Sequence, residues 1–207
     1  DWSSDVCSSD LFSYAIGLGI GQNLLSMGAK GISVDDFARA ISDVLNGNPT
    51  EITHTEAREI VNKYFEEMEA RINAENIEKG KKFLEENKQR PGVVTLPSGL
   101  QYEVIKEGNV GHYAKIDDQV QCHYEGTLVD GTLFDSSIKR GQPATFGVNQ
   151  VIPGWVEALQ LMPEGAKWKL YIPSELGYGA HGAGEMIPPH STLIFEVELL
   201  KILSDKK

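Results

Sequence analysis

The sequence predicts an α+β protein, with an all-helical N-terminal part and then an antiparallel sheet wrapped on a short helix. The first observation is an apolar repeat at three and four residues, which is typical of amphipathic helices and ends near residue 90. The second is the alternation of apolar and polar residues that follows Arg90-Pro91-Gly92. This change of period predicts a domain boundary between residues 12–90 and residues 91–207.

Charge and hydropathy exclude two classes of protein. The 207 residues contain 19 Lys and Arg against 30 Asp and Glu, a formal charge of −11. Nucleic-acid binding requires clustered basic residues, whereas those of this chain are spread among more numerous carboxylates, so no nucleic-acid partner is expected. The longest apolar stretch, residues 12–25, contains Gln22 and Asn23 and is shorter than the roughly 20 residues that cross a bilayer. No transmembrane span is predicted.

Residues 1–11 are left out of the fold prediction, because their back-translation resembles, in frame, a sequencing-adapter sequence joined to a truncated gene. On this interpretation the native N-terminus is missing. The alternative is a natural Ser-rich leader, although the segment has neither the basic start nor the apolar run of a secretion signal. Localisation signals are therefore not assigned.

Two short helices are predicted first. One contains Gly17 and Gly21, four residues apart, a spacing that lets another helix approach closely. The next begins near Ser33, a suitable N-cap because its hydroxyl can accept a hydrogen bond from the first turn. The apolar stripe of this helix consists of Val34, Phe37, Ala38, Ile41, Val44 and Leu45.

A third, long helix is predicted over about residues 53–87, and Thr53 with Glu56 forms a capping-box pattern at its start. At 1.5 Å per residue it would be about 50 Å long, too long for two short helices to cover. Its apolar stripe must therefore be covered either by the C-terminal domain or by a second copy of the chain. We favour a homodimer through residues 12–87, because two helices of about a dozen residues form a poor independent core. The alternative is a monomeric three-helix bundle.

The C-terminal part is predicted to be mostly strand, with alternating segments near residues 120–125, 167–172 and 193–199. Asp130-Gly131 is typical of a hairpin turn. One helix is expected over residues 155–161, after Pro153-Gly154. Cys122 lies in an alternating segment and is interpreted as a small buried residue rather than a reactive thiol.

The usual catalytic constellations are missing from the sequence. The five histidines show no metal-ligand spacing. Neither the Gly-x-Ser-x-Gly turn of serine hydrolases nor a Walker-type phosphate loop occurs. An enzyme with this sequence is expected to act without metal, cofactor or covalent nucleophile.

Three separated motifs nevertheless occur in a specific order: Phe134-Asp135-Ser136-Ser137, Val151-Ile152-Pro153-Gly154-Trp155, and Gly177-Tyr178-Gly179 with Ile187-Pro188-Pro189-His190-Ser191-Thr192-Leu193. Together they resemble the FKBP-type peptidyl-prolyl cis-trans isomerases. The resemblance covers about residues 99–203. The helical leader is similar to the bacterial subgroup of macrophage infectivity potentiator-like proteins, in which an N-terminal module dimerises and a long helix carries each catalytic domain. Its members occur in the cytoplasm, the periplasm or the cell envelope, so localisation stays open.

The resemblance implies an apolar pocket for the substrate proline. Trp155 would form its floor, and Asp135 would lie at its rim, paired with Arg140. The Tyr178 hydroxyl and the Ile152 backbone N–H would bond the bound peptide. The implied walls are Tyr124, Phe134, Val151, Ile152 and Phe195, and the further substrate contacts are Phe146, Met186 and Ile187, the last two matching a flap.

The implied activity is cis-trans isomerisation of X–Pro bonds in folding proteins, with proline-containing polypeptides and macrolides such as rapamycin as ligands. Ala144 and Ala183 depart from the family pattern, in which larger side chains occur, and this widens one rim of the pocket that a macrolide would contact. Two alternatives stay open at this point. One is a dimeric holdase that binds unfolded chains, and the other is a dimeric scaffold with an inactive pocket.

Overall fold

The structure is a computed structural model that describes residues 9–29 and 31–203. It divides into two compact units, Asp1–Asn62 and Lys63–Lys207. The α+β prediction is confirmed. The helices of the described residues are α1 (Ser9–Ser26), α2 (Val34–Asn46), α3 (His54–Asn87) and α4 (Pro153–Leu161). The strands are β1 (Val93–Thr95), β2 (Gln101–Lys106), β3 (Asn109–Tyr113), β4 (Gln119–Leu128), β5 (Leu133–Ser136), β6 (Ala144–Gly147), β7 (Pro163–Glu164), β8 (Lys167–Ile172) and β9 (Leu193–Leu203).

The first unit contains α1, α2 and the start of α3. Ser33 caps α2 as predicted, since its hydroxyl accepts a hydrogen bond from the Asp36 N–H, and Gly47 ends the helix in the left-handed conformation. None of the described residues up to Asn62 is buried, and Phe37 and Ile41 on the α2 stripe are 38% and 40% exposed. These helices therefore form no core within one copy of the unit. Of the predicted adapter segment, residues 1–8 lie outside the described part, and that assignment stays a prediction.

Helix α3 runs for 34 residues, which corresponds to about 51 Å at 1.5 Å per residue. The capping box is present: the Thr53 N–H donates to Glu56 Oε2 (2.8 Å) and the Glu56 N–H donates to Thr53 Oγ1 (3.2 Å). The predicted long helix is confirmed. Ile60, Val61 and Ile72, three apolar residues of this helix, are exposed.

The second unit is built on an antiparallel sheet with the strand order β1-β2-β8-β9-β4-β5. Strand β6 pairs with β4 at residues 119–122, whereas β5 pairs with β4 at residues 125–127. Both therefore lie on the same edge of β4, opposite β9. Strands β3 and β7 form a separate two-stranded sheet.

One face of the large sheet packs on α4. Alternate residues of β4, β8 and β9 are buried, as the sequence pattern predicts. Helix α4 begins two residues earlier than expected, at Pro153, because proline is well suited to the first turn of a helix. A Cβ at Gly154 would lie 2.7 Å from Ile172 Cγ2, so glycine lets α4 approach the sheet closely. Cys122 is fully buried, and burial raises the pKa of its thiol to about 12, which confirms its interpretation as an inert core residue.

The second half of α3 packs against the other face of this sheet. Tyr171 alternates with the core residues of β8 and so points away from α4, and its ring lies 5.9 Å from that of Phe83. Asn87 Nδ2 donates to Gln101 Oε1 (2.8 Å), and Gln101 Nε2 donates to the Leu84 carbonyl (2.9 Å). For this half of α3 the partner is the C-terminal domain of the same chain rather than the second copy favoured from the sequence. None of the described helices is long and apolar enough to span a bilayer.

Candidate active site

A cavity of about 620 Å³ lies where the sheet, the start of α4 and the loops after β8 meet. Eleven of the twelve predicted site residues line it, and the twelfth, Arg140, contacts two of them, Asp135 and Tyr124. Sequence reasoning did not assign Gln150 to the site and treated Ala183 only as a departure from the family pattern, yet both line the cavity. The lining consists of Tyr124, Phe134, Asp135, Phe146, Gln150, Val151, Ile152, Trp155, Tyr178, Ala183, Met186, Ile187 and Phe195.

Trp155 lies at the centre of an aromatic box. It is only 4% exposed, and three rings meet it edge to face, the arrangement that aromatic quadrupoles favour. The ring centroids lie 5.3 Å away for Tyr124, 5.6 Å for Phe146 and 5.2 Å for Phe195, with interplanar angles of 80–89°. Its indole Nε1 is buried and makes no hydrogen bond within the described residues. The box is therefore rigid and apolar, and the indole N–H is its one hydrogen-bond donor without a partner among the described residues.

The rim is held by a hydrogen-bonded triangle. The Tyr124 hydroxyl donates to Asp135 Oδ2 (2.5 Å). The Arg140 guanidinium donates to Asp135 Oδ1 and to the Tyr124 hydroxyl oxygen, the latter at 2.8 Å. The predicted pairing of Asp135 with Arg140 is confirmed. Both side chains are more than a third exposed, so the pair adds little to folding stability, and its main effect is to fix the carboxylate and the phenol.

Electrostatics keep the rim in one protonation state near neutral pH. Burial alone would raise the pKa of Asp135, but the hydrogen bonds from Tyr124 and Arg140 and the Arg140 charge outweigh it, so this pKa lies below its ordinary value. Burial, then the Asp135 hydrogen bond, raises the pKa of Tyr124. Burial, then the Asp135 charge, raises the pKa of Tyr178. The carboxyl group is thus ionised while both phenols stay neutral.

A short flap, residues 183–187, covers one side of the cavity. Ala183 and Ile187 exchange two backbone hydrogen bonds, of 2.8 and 3.2 Å. Ile187 is buried against the cavity, whereas Met186 is half exposed. Gly182, which precedes the flap, has φ of 61°, and a Cβ there would lie 2.2 Å from the Ile187 carbonyl oxygen. Only glycine fits this approach.

Strand β4 is anchored behind the site by Ser137, which sequence reasoning did not single out beyond its motif. Its hydroxyl is fully buried, accepts a hydrogen bond from the Tyr124 N–H (2.8 Å) and donates to the Tyr124 carbonyl (3.2 Å). The described residues contain no cluster of three His, Cys, Asp or Glu side chains that could hold a metal ion.

Comparisons with known proteins match both parts of the chain. A family model described as FKBP-type peptidyl-prolyl cis-trans isomerase matches residues 111–200, and a model of the domain amino terminal to such isomerases matches residues 9–104. The FKBP-type 22 kDa peptidyl-prolyl cis-trans isomerase of Escherichia coli (strain K12) is 49% identical, covering 92% of this chain and 94% of the relative. The outer membrane protein MIP of Legionella longbeachae is 41% identical, over 98% and 89%.

A solved structure agrees over both units. The crystal structure of FkpA from Escherichia coli superposes with a TM-score of 0.78 at 33% identity, covering 95% of this chain and 98% of that one. The similarity therefore includes the helical N-terminal part as well as the domain that contains the cavity.

Proposed function

Because the chain belongs to the FKBP-type peptidyl-prolyl cis-trans isomerases, we propose that the aromatic cavity is where it rotates X–Pro bonds. The observation that carries this proposal is the box of aromatic rings around Trp155, which lines a cavity large enough for a proline ring. The isomerase names of the relatives favour this activity over the holdase alternative.

The substrate proline ring lies on the Trp155 indole, with Phe195 and Tyr124 beside it. The N–H of Ile152, at the N-cap of α4, makes no hydrogen bond within the described residues, whereas its carbonyl accepts from Trp155 N–H. It is therefore available to bond the substrate backbone. The Tyr178 hydroxyl, at the open side of the cavity, supplies a second neutral donor. These contacts orient the peptide without any covalent step.

Catalysis then follows from the low polarity of the cavity. Amide resonance makes the planar bond polar and creates a barrier of about 18–20 kcal/mol, and X–Pro bonds are the ones with appreciable cis population. The twisted transition state has lost that resonance and is less polar. Moving the bond from water into an apolar box therefore destabilises the planar state more than the twisted one. A difference of about 5 kcal/mol corresponds to roughly 10⁴-fold in rate.

Asp135 stabilises the twisted state from the rim. Loss of resonance leaves the carbonyl carbon more positive, and a fixed carboxylate beside it lowers the energy of that charge distribution. Arg140 and the Tyr124 hydroxyl hold the carboxylate in place. Macrolides such as rapamycin enter the same cavity, with fewer contacts at the small Ala183 side chain.

We expect kcat/KM to vary by less than two-fold between about pH 6 and pH 9. No step transfers a proton, and the shifts at the rim keep Asp135 ionised and Tyr124 and Tyr178 neutral over this interval: a lowered carboxyl pKa keeps the anion as pH falls, and a raised phenol pKa keeps the neutral form as pH rises. A protease-free isomerisation assay on a proline peptide without titratable side chains measures this. A bell-shaped profile would show general acid–base catalysis and contradict the mechanism.

We further propose that the first unit forms a homodimer. The apolar stripe of α2 and Gly17 and Gly21 of α1 face open space within one copy, and a Cβ at either glycine would meet no atom within 4 Å. A second copy of the same unit would cover these surfaces together. Sedimentation at micromolar concentration is expected to give a dimer, and Ile41→Asp, which places a charge at the centre of the stripe, a monomer. A monomeric intact chain would contradict the proposal.

A further inference from the structure

Helix α3 contacts the chain that follows the flap, outside the cavity. Asn76 Nδ2, on its second half, donates a hydrogen bond to the carbonyl oxygen of Pro189, at 2.9 Å and across 113 positions of sequence. Pro189 lies two residues beyond Ile187, the last residue of the flap. The bond thus joins the helix to the C-terminal stem of the flap, defined as residues 188–191.

One hydrogen bond to a neighbouring loop and one within the stem hold its backbone. The His190 N–H donates to the Gly179 carbonyl (2.8 Å), next to Tyr178, and Ser191 Oγ donates to the Pro188 carbonyl (2.6 Å). His190 has φ of 58°, which non-glycine residues seldom adopt and which persists only where the surroundings hold it. The stem is therefore a strained piece of backbone whose conformation depends on its neighbours.

Helix α3 approaches the end of the stem more closely than a side chain would allow. A Cβ at Gly80 would lie 2.3 Å from Thr192 Oγ1, and Thr192 is buried. Glycine is disfavoured in the interior of a helix, so its presence at this contact is explained by the close approach. Asn76 and Gly80 lie four residues apart, on one face of α3.

We propose that Asn76 is a positioning residue of the isomerase: by its bond to Pro189 it holds the flap in the conformation that closes the cavity. The inference rests on the proposed function of the cavity. Without the bond, a smaller fraction of molecules has the flap in place before substrate binds. Apparent substrate affinity falls in proportion to that fraction, whereas the chemistry of the closed complex is unchanged.

The test compares intact protein with Asn76→Asp, which keeps the side-chain shape but, when ionised, has no N–H to donate. We expect KM to rise by up to about five-fold, the largest change in the closed fraction that one neutral hydrogen bond can cause, with kcat within two-fold. Amide hydrogen exchange of residues 183–191 is expected to become faster. Gly80→Ala, which keeps Asn76 but displaces either α3 or the Thr192 side chain next to the stem, is expected to change KM in the same direction.

Glu78→Ala is the matched control, because Glu78 is exposed on the same turn of α3; its KM and exchange are expected to equal those of intact protein. If Asn76→Asp lowers the melting temperature but leaves both KM and flap exchange unchanged, Asn76 is only a structural residue and the inference is wrong. If intact protein shows no turnover, the proposed function of the cavity fails instead, and the exchange measurement still decides whether Asn76 holds the flap.

Discussion

Replacing Trp155 by leucine is expected to lower kcat/KM by about 30-fold. Leucine removes the flat surface under the proline ring and opens the box to water, so part of the preference for the less polar transition state is lost. A loss of about 2 kcal/mol of transition-state stabilisation corresponds to that factor. Steady-state kinetics on an X–Pro peptide measures it, with circular dichroism to show that the variant is folded.

Trp168→Leu is the matched control for this substitution. Trp168 is also buried, at 6% exposure, and its Nε1 likewise makes no hydrogen bond within the described residues. However, it stacks on Tyr102 at 4.2 Å and does not line the cavity. Both variants are expected to be less stable, by about 2–3 kcal/mol each, but only Trp155→Leu is expected to lose activity. Equal activities in the two variants would contradict the position of the floor.

Replacing Gly182 by alanine is expected to lower kcat/KM by about ten-fold. The new Cβ would lie 2.2 Å from the Ile187 carbonyl oxygen and 2.8 Å from the Pro188 carbonyl carbon. Because these are backbone atoms, the flap itself must move, and the Ala183–Ile187 hydrogen bonds are lost with it. The loss is expected mainly in KM, since the flap contacts substrate in both the planar and the twisted state.

Gly184→Ala separates this clash from backbone strain. Gly184 also has positive φ, of 55°, but a Cβ there would meet no atom within 4 Å. Its substitution introduces the same kind of strain without displacing the flap, so kcat/KM is expected to change by less than three-fold. A loss as large as that of Gly182→Ala would show that strain alone accounts for the effect and that the flap position is not limiting.

Local patterns in the sequence were sufficient to predict most helices and strands of the fold. The hydroxyl of Ser33 and the Thr53–Glu56 pair cap α2 and α3 as expected, because a capping motif acts within one turn. Alternation in β4, β8 and β9 correctly assigned the core face, because the side chains of a strand point to opposite faces in turn. The resemblance to the isomerase family implied eleven residues that line one cavity.

Contacts between distant segments could not be predicted in this way. The register of β4 and β5 shifts between Gly126 and Thr127. Counting residue pairs outward from the Asp130-Gly131 turn therefore gives the wrong pairing beyond this point, and it does not predict that Tyr124 lies beside Asp135. The hydrogen bond from Asn76 to Pro189 depends on how α3 lies on the sheet. No local preference of either residue encodes it.

Isomerisation in the cavity is tested most directly by cis–trans exchange of a short X–Pro peptide, followed by NMR with intact protein in a buffer that contains a metal chelator. We expect exchange orders of magnitude faster than in buffer alone, and suppression of that acceleration when a second proline peptide competes for the cavity. Exchange at the uncatalysed rate, in the presence of well-folded protein, would contradict the claim that this cavity rotates X–Pro bonds.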